Sequence, residues 1–520
     1  MNFAKIIVVI TVVSAAIMEL IDTSIVNVGL NVMAGNLGAT IEDISWIITS
    51  YAIANVIIIP MTGFLQRYFG RKNYFMTSIV VFTVASYFCG NAESLITLVL
   101  FRFLQGIGGG ALLSVSQGIL FDTFPISQRP MASAMFGIGI VLGPTFGPTL
   151  GGIIIDNYHW SWMFFINIPI GVAAFFLSNT FLEKKEEERN IDRSAIHIDT
   201  LGIVLLALWI GSLQFVLERG PANDWFDDPL ILRFFIIGLV SFFGFIWWEL
   251  RIPNPVVNLR IFLNRNLAIG TLLIVVIGFG LFSSVFLYPL FAQRITGFTA
   301  KMTGLLLIPG AVITLFIFPI VGKLMSKGLP PRNLVFVGYI FFFLFAYLMS
   351  QLNADAFSQL FIVALIFRGI GLALTNIPLI NTSVSTLTPA ELPMGIALTN
   401  MFRQLGGAMG IAVLNTYINN HAAQHRNDML SNIVTGQPVT DERVAILTNS
   451  LIGRGVNPFD AVKVAYTNME LAVNKQALML AYLDSFQLTA LFFVLSLPFL
   501  LLIENKKPNK EAMKAASEAH

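Results

Sequence analysis

The 520 residues are 56% apolar and only 12% charged, with a mean hydropathy of +0.77, whereas an average soluble domain carries about 25% charged residues; a water-soluble protein is excluded. A formal net charge of +2 is too small to imply a nucleic-acid partner, and the single cysteine, Cys89, rules out an intramolecular disulfide or a cysteine-based metal site. Runs such as Ile57–Ile58–Ile59 and Phe341–Phe342–Phe343 lack the alternation of a transmembrane barrel.

Apolar blocks of about twenty residues, the helix length that crosses about 30 Å of hydrocarbon, fall near 6–29, 44–65, 74–90, 95–120, 131–154, 162–182, 198–217, 230–249, 267–291, 303–323, 333–351, 358–385, 393–418 and 486–503. They predict an all-α polytopic membrane protein with fourteen spans, so both termini share one side. Most of the 31 Lys and Arg fall on that side, including Arg67, Arg71, Lys72, Lys184, Lys185, Lys323, Lys327 and the Lys506–Lys514 tail. Positive charge marks the cytoplasmic face, and the termini are expected there.

In the first span Glu19 and Asp22 lie three residues apart on one helical face, and no small-residue cleavage site follows, so the span is expected to be retained. An intramembrane carboxylate costs about 2.5–3.5 kcal/mol at a helix centre and so faces a cavity or a partner. The turn after the second span carries Gly63, Gly70 and Arg71, read either as a gating loop or as a topogenic charge cluster. Arg102 enters the fourth span from the far side at the depth of Asp22, which makes a pair geometrically available. Such a pair serves as a proton site tuned by the arginine or as a fixed structural ion pair. In the fifth span Gly139, Gly143, Gly147 and Gly151 recur every fourth residue beside Pro144 and Pro148. A face without side chains lets another helix come close, as a static seam or as a hinge.

Further along, Tyr288 in the ninth span, Asn376 in the twelfth and Asn400, Arg403 and Gln404 in the thirteenth put polar groups at cavity depth, although helix-to-helix bonding explains each asparagine equally well. Arg368 has no acidic residue at matching depth, so a carbonyl is its expected partner. His421 and His425 are a weak metal signal against an ordinary polar loop. The long outer loop 421–484 exceeds what a connection needs. Thr440 before Asp441 and Glu442, and Asn457 before Pro458, signal helix starts within it, so a small helical cap is expected.

The chain repeats itself. Pro60, Gly63 and Leu65 recur as Pro319, Gly322 and Leu324; Phe101–Arg102 as Phe367–Arg368; Pro130–Met131 with Leu142–Gly143 as Pro393–Met394 with Leu405–Gly406. Two six-helix bundles, 1–183 and 267–505, are therefore expected, with two inserted helices in 184–266 and a cytoplasmic tail 506–520. Parallel repeats of this kind bind substrate between the halves near the membrane midplane. No Gly-x-x-x-x-Gly-Lys-Ser/Thr phosphate loop occurs, so ATP is not the expected fuel, and no catalytic cluster or selectivity ring suggests an enzyme or a channel.

Several stretches resemble the fourteen-span drug:proton antiporter (DHA2) branch of the major facilitator superfamily, the EmrB-type multidrug exporters. They are 20–28 in the first span, Arg102 with Gln105, Gly106 and Gly108 in the fourth, 142–152 in the fifth, and 158–171. The resemblance spans nearly the whole chain. It implies export of hydrophobic or amphipathic drugs in exchange for protons, without a cofactor, across a bacterial inner membrane. It also implies hand-over to an EmrA-like periplasmic adaptor and a TolC-like outer-membrane channel. Asp22, Arg102 and Glu19 are then the coupling residues, and Asn27 and Gln105 join the cavity residues above. Two departures stand out: Arg67 where the loop motif usually has aspartate, and Glu19 where a neutral polar residue is more common. A dedicated exporter of one metabolite, lipid or siderophore is the alternative reading.

Overall fold

A computed structural model describes residues 3–125, 128–184, 198–434 and 436–503; Lys185, the tail 506–520 and the Pro144 side chain lie outside them. The described residues form helices α1 (Phe3–Leu37), α2 (Trp46–Phe69), α3 (Arg71–Gly90), α4 (Leu95–Thr123), α5 (Arg129–Asn157) and α6 (Asn167–Phe181). Helices α7 (Thr200–Arg219) and α8 (Pro229–Glu249) follow, then α9 (Arg265–Arg294), α10 (Ala300–Ser326), α11 (Pro331–Ser350), α12 (Ser358–Val384), α13 (Leu392–Leu430), α14 (Pro438–Gly453) and α15 (Pro458–Leu500). Among the described residues thirteen of these stretches, α6 taken together with the short turn from Trp162, are long and apolar enough to cross a membrane. Helix α13 is long enough but more polar, and its first half is mostly buried among other helices.

Two helices continue past their expected spans. Helix α13 runs on to Leu430 and α15 starts at Pro458, so the expected cap is mainly an antiparallel extension of two membrane helices, with α14 laid against α15. Hydropathy marks only the apolar part of such a helix. Asn457 does cap α15, its side chain accepting from the Phe459 N–H at 3.1 Å. Helix α14, however, starts at Pro438, and Thr440 is buried inside it. Gly63 likewise lies within α2 and not in the turn, which Gly70 makes with a φ of 81°. Arg71 beside it pairs with Asp122 at the end of α4.

Helices α1 to α6 share two apolar clusters, and α9 to α13 with α15 share a third, so each half has its own core. The halves meet where α2 lies on α13 and α5 on α10. These interfaces mirror each other in detail. A Cβ on Gly63 of α2 would stand 3.1 Å from the Met394 Cα of α13, and one on Gly322 of α10 would stand 3.1 Å from the Met131 Cα of α5. The two glycines and the two methionines are repeat equivalents, so the sequence duplication appears as a pseudo-two-fold contact. Leu206 and Ile210 of α7 and Phe245 of α8 join Met394, Leu398 and Met401 of α13 in one cluster with α2. The inserted pair thus covers the seam between the halves, and Trp225 before α8 donates to Thr416 of α13 at 2.8 Å.

Candidate functional site: a buried charge network and an interdomain cleft

Asp22 of α1 is fully buried and Arg102 of α4 is 1% exposed, and they form an ion pair of 2.6 Å, Nη1 to Oδ2. The other carboxylate oxygen of Asp22 accepts from Gln105 Nε2 at 2.9 Å and Asn167 Nδ2 at 2.8 Å. Arg102 also donates to Gln105 Oε1 at 2.7 Å and, through Nε, to the Ile47 carbonyl at 3.1 Å. Its guanidinium sits 4.1 Å above the Tyr51 ring. Ser86 of α3 accepts from Gln105 at 2.7 Å. Five helices, α1 to α4 and α6, therefore converge on one ion pair. A buried pair is tolerable only when further hydrogen bonds help satisfy its remaining lone pairs and protons; here Asp22 accepts two and Arg102 donates two besides the pair itself.

Glu19, one turn along α1 and 1% exposed, is less well satisfied. Its Oε1 accepts from Asn55 Nδ2 at 3.1 Å and the Tyr51 hydroxyl at 3.4 Å, while Oε2 is buried with no partner among the described residues. Across the seam, Arg403 of α13 is 3% exposed and its Nη1 is also buried and unpartnered. The two charges act on each other but make no ion pair within 4.0 Å. One turn before Arg403, Asn400 donates across the seam to Gln117 Oε1 at 3.1 Å and Ser114 Oγ at 3.3 Å of α4.

Exposure along the helices shows which way the space between the halves opens. At about 100° per residue, Val12, Ala16, Glu19, Thr23 and Asn27 share the face of α1 between the side turned to α4 and the side turned to α5. The first three are buried, Thr23 is half-buried and Asn27 is exposed. On α13, Ala397 and Asn400 are buried, while Gln404, Ala408, Ile411 and Asn415 are half-buried. The cleft is closed at the end of Gly63, Gly322 and Asn400; toward the end that carries α14 the facing sides of α1 and α13 become more exposed, while α5 and α10 still meet there at Thr149 and Gly304. Glu19 and Arg403 sit at its floor.

Other expected residues lie elsewhere. Tyr288 is fully buried in the core of the second half, against Phe361, its hydroxyl donating to the Thr303 carbonyl at 2.9 Å, so it is a packing residue and not a cavity wall. Gln105 belongs to the Asp22 network and not to the cleft. Asn376 is buried in α12. Arg368 donates to the Ser284 hydroxyl at 2.7 Å, where a carbonyl was expected. Among the described residues no group of three metal-ligating side chains forms; His425 meets Asp484 at 2.7 Å instead. The glycine stripe of α5 seats α1: Cβ atoms on Gly139, Gly143, Gly147 and Gly151 would meet Ile17, Leu20, Ser24 and Ile25 in turn. Tyr51 and Asn55 went unnoticed in the sequence, and Asn167 was seen only within the stretch 158–171 that carries the family resemblance, with no role assigned. Their only signal there is a polar group inside an apolar block.

The family profile of the Major Facilitator Superfamily matches residues 12–411. The chain is 35% identical to the Multidrug export protein EmrB of Escherichia coli K12 over 81% of each chain. It is 34% identical to the Fatty acid resistance protein FarB of Neisseria gonorrhoeae over 85% of this chain and 86% of FarB. Identity to the Colistin resistance protein EmrB of Acinetobacter baumannii is 27%, over 94% of each. Among solved structures, the human organic anion transporter MFSD10 superposes with a TM-score of 0.56 at 13% identity, covering 94% of this chain and 99% of MFSD10, a likeness of fold alone. With two mirrored halves, a cleft between them and a profile match over most of its length, this chain is a polytopic transporter of the major facilitator superfamily, similar to the EmrB multidrug exporters.

Proposed function

We propose that this chain exports hydrophobic and amphipathic compounds in exchange for protons across a bacterial inner membrane, with both termini in the cytoplasm. The cleft then opens to the periplasm, and 1–183 and 267–505 are the moving halves. The observation that carries the reading is the Asp22–Arg102 pair, a buried, exchangeable charge tied to five helices beside the floor of the cleft. A proton on Asp22 cancels its attraction for Arg102 and weakens the bonds that fix α1 to α4 and α6, so protonation and movement of α1 become one event. Glu19 rides on the same helix and touches the network through Tyr51, whose ring stacks on Arg102. The names of the EmrB and FarB relatives support an apolar or amphipathic cargo. FarB, at nearly the same identity as EmrB, also supports a second reading, a dedicated lipid exporter.

The outer end of α13 and α15 with α14 is a docking surface for an EmrA-like adaptor in a tripartite pump that ends in a TolC-like channel. Exposed apolar side chains there support this: Val439 is 80% and Phe459 94% exposed.

The test is purified protein in liposomes under an imposed pH gradient, with a panel of unrelated hydrophobic compounds. Wild type should concentrate several of them; transport of one compound class alone favours the dedicated exporter. Asp22→Asn should stop uphill transport while leaving substrate binding intact, since the amide resembles a protonated acid. Uphill transport by Asp22→Asn at the wild-type rate removes Asp22 from coupling.

A further inference from the structure

Among the described residues, Glu19 and Arg403 hold the two buried charged atoms at the cleft floor that lack hydrogen-bond partners, Oε2 on one half and Nη1 on the other. Buried charges are costly unless paired and hydrogen-bonded. Asp22 and Arg102 are paired and further hydrogen-bonded, whereas Glu19 on one half and Arg403 on the other make no ion pair. Each half of the transporter thus offers one open valence of opposite sign, at the level where the cleft narrows. Below them the floor is sealed by Asn400 on Gln117 and Ser114. One and two turns along the same face of α1, Ala16 and Val12 are apolar.

Electroneutrality decides what can enter. A lone cation satisfies Glu19 but takes its compensation away from Arg403; a lone anion does the reverse. A molecule with an amine and a carboxylate satisfies both and leaves the site neutral. We infer that Glu19 and Arg403 are the two poles of the substrate site, and that this exporter prefers zwitterionic amphiphiles, the amine on Glu19 Oε2 and the carboxylate on Arg403 Nη1. Such a ligand bridges the halves, so it also reports on their approach. The inference names a substrate class for the exporter proposed above and rests on that reading.

Binding without a gradient separates the two. Full-length protein in nanodiscs is titrated with a fluorescent piperazinyl quinolone bearing a free amine and a free carboxylate, with its methyl ester (amine only) and with its N-acetyl derivative (carboxylate only); empty nanodiscs correct for partitioning. Wild type should bind the zwitterion at least about tenfold tighter than either blocked form, the size expected of one charge-assisted hydrogen bond. In Glu19→Gln the zwitterion should lose its advantage over the N-acetyl form, and in Arg403→Gln its advantage over the methyl ester. The double variant Glu19→Gln/Arg403→Gln leaves no uncompensated charge; it should fold and bind all three alike. Equal binding of the three compounds to wild type, no binding of any, or the full preference surviving in the double variant overturns the inference. Those outcomes leave gradient-driven efflux and its loss in Asp22→Asn untouched, so a failure of the exporter reading shows up separately in liposomes.

Discussion

Two arginines on repeat-equivalent positions show how one residue type takes different work from its surroundings. Arg102 has a carboxylate, an amide, a carbonyl and an aromatic face around it, while Arg368 has the Ser284 hydroxyl. Removing Arg102 leaves Asp22 buried with amide donors and no cation. Arg102→Met should therefore cost about 3–5 kcal/mol, the range for breaking a buried pair from one side. Asp22→Asn/Arg102→Met removes both charges and should cost clearly less than the sum of the single changes. Thermal unfolding in one detergent measures all three variants, and additive losses contradict a coupled pair. The pairing of Asp22 and Arg102 is legible in the sequence because depth can be counted along each helix from its end. The relation of Glu19 to Arg403 is not, since no count along either half says how the two halves are set against each other. Tyr288 and Gln105 fail as cavity residues for a related reason: a polar side chain in a membrane helix reads the same in sequence whether it faces a cleft or is satisfied inside a bundle.

At the scale of helices, the stripe of α5 fixes the helix that carries both acids. A Cβ on Gly143 would meet the Leu20 side chain, and its next neighbours are backbone, Leu20 C at 3.1 Å and Ile21 N at 3.3 Å. Backbone cannot rotate away as a side chain can, so α1 has to shift. Both helices belong to one half, so the stripe sets the position of Glu19 and Asp22 within it, whereas the sequence, with Pro144 and Pro148 beside the glycines, points to a moving contact more than to a static seam. Gly143→Ala should lower stability by about 1–3 kcal/mol, as overpacking does, and slow transport with it. Gly152, one residue beyond the stripe, has nothing within 4 Å of an added Cβ. Gly152→Ala should be neutral or slightly stabilising, by up to about 1 kcal/mol of helix propensity. Melting temperature and efflux rate decide; equal effects of the two substitutions would show that packing on α1 is not the cause.

For the whole molecule, duplication and span count are legible because hydropathy and repeated motifs are written along the chain, whereas α13 and α15 outgrow the membrane in polar sequence that hydropathy passes over. That outgrowth decides what the outer end is for. The two extensions hold each other without α14: Arg426 donates to Glu470 and to Asn474, both at 2.8 Å, and His425 meets Asp484 at 2.7 Å. Helix α14 lies on top and buries only Thr440 and Val444, leaving Val439 and Ile446 largely exposed. Replacing 431–456 with a short Gly/Ser linker should therefore leave the extensions, the Asn457 cap and the cleft in place. A docking role predicts that co-purification with a co-expressed EmrA-like adaptor and resistance of whole cells are lost, while counterflow by the exporter alone in liposomes continues at the wild-type rate. A shielding role predicts the opposite, with altered counterflow and an intact complex. Co-purification of the shortened protein at wild-type yield places the adaptor contact outside 431–456, and the exposed apolar residues of α14 then serve the exporter itself.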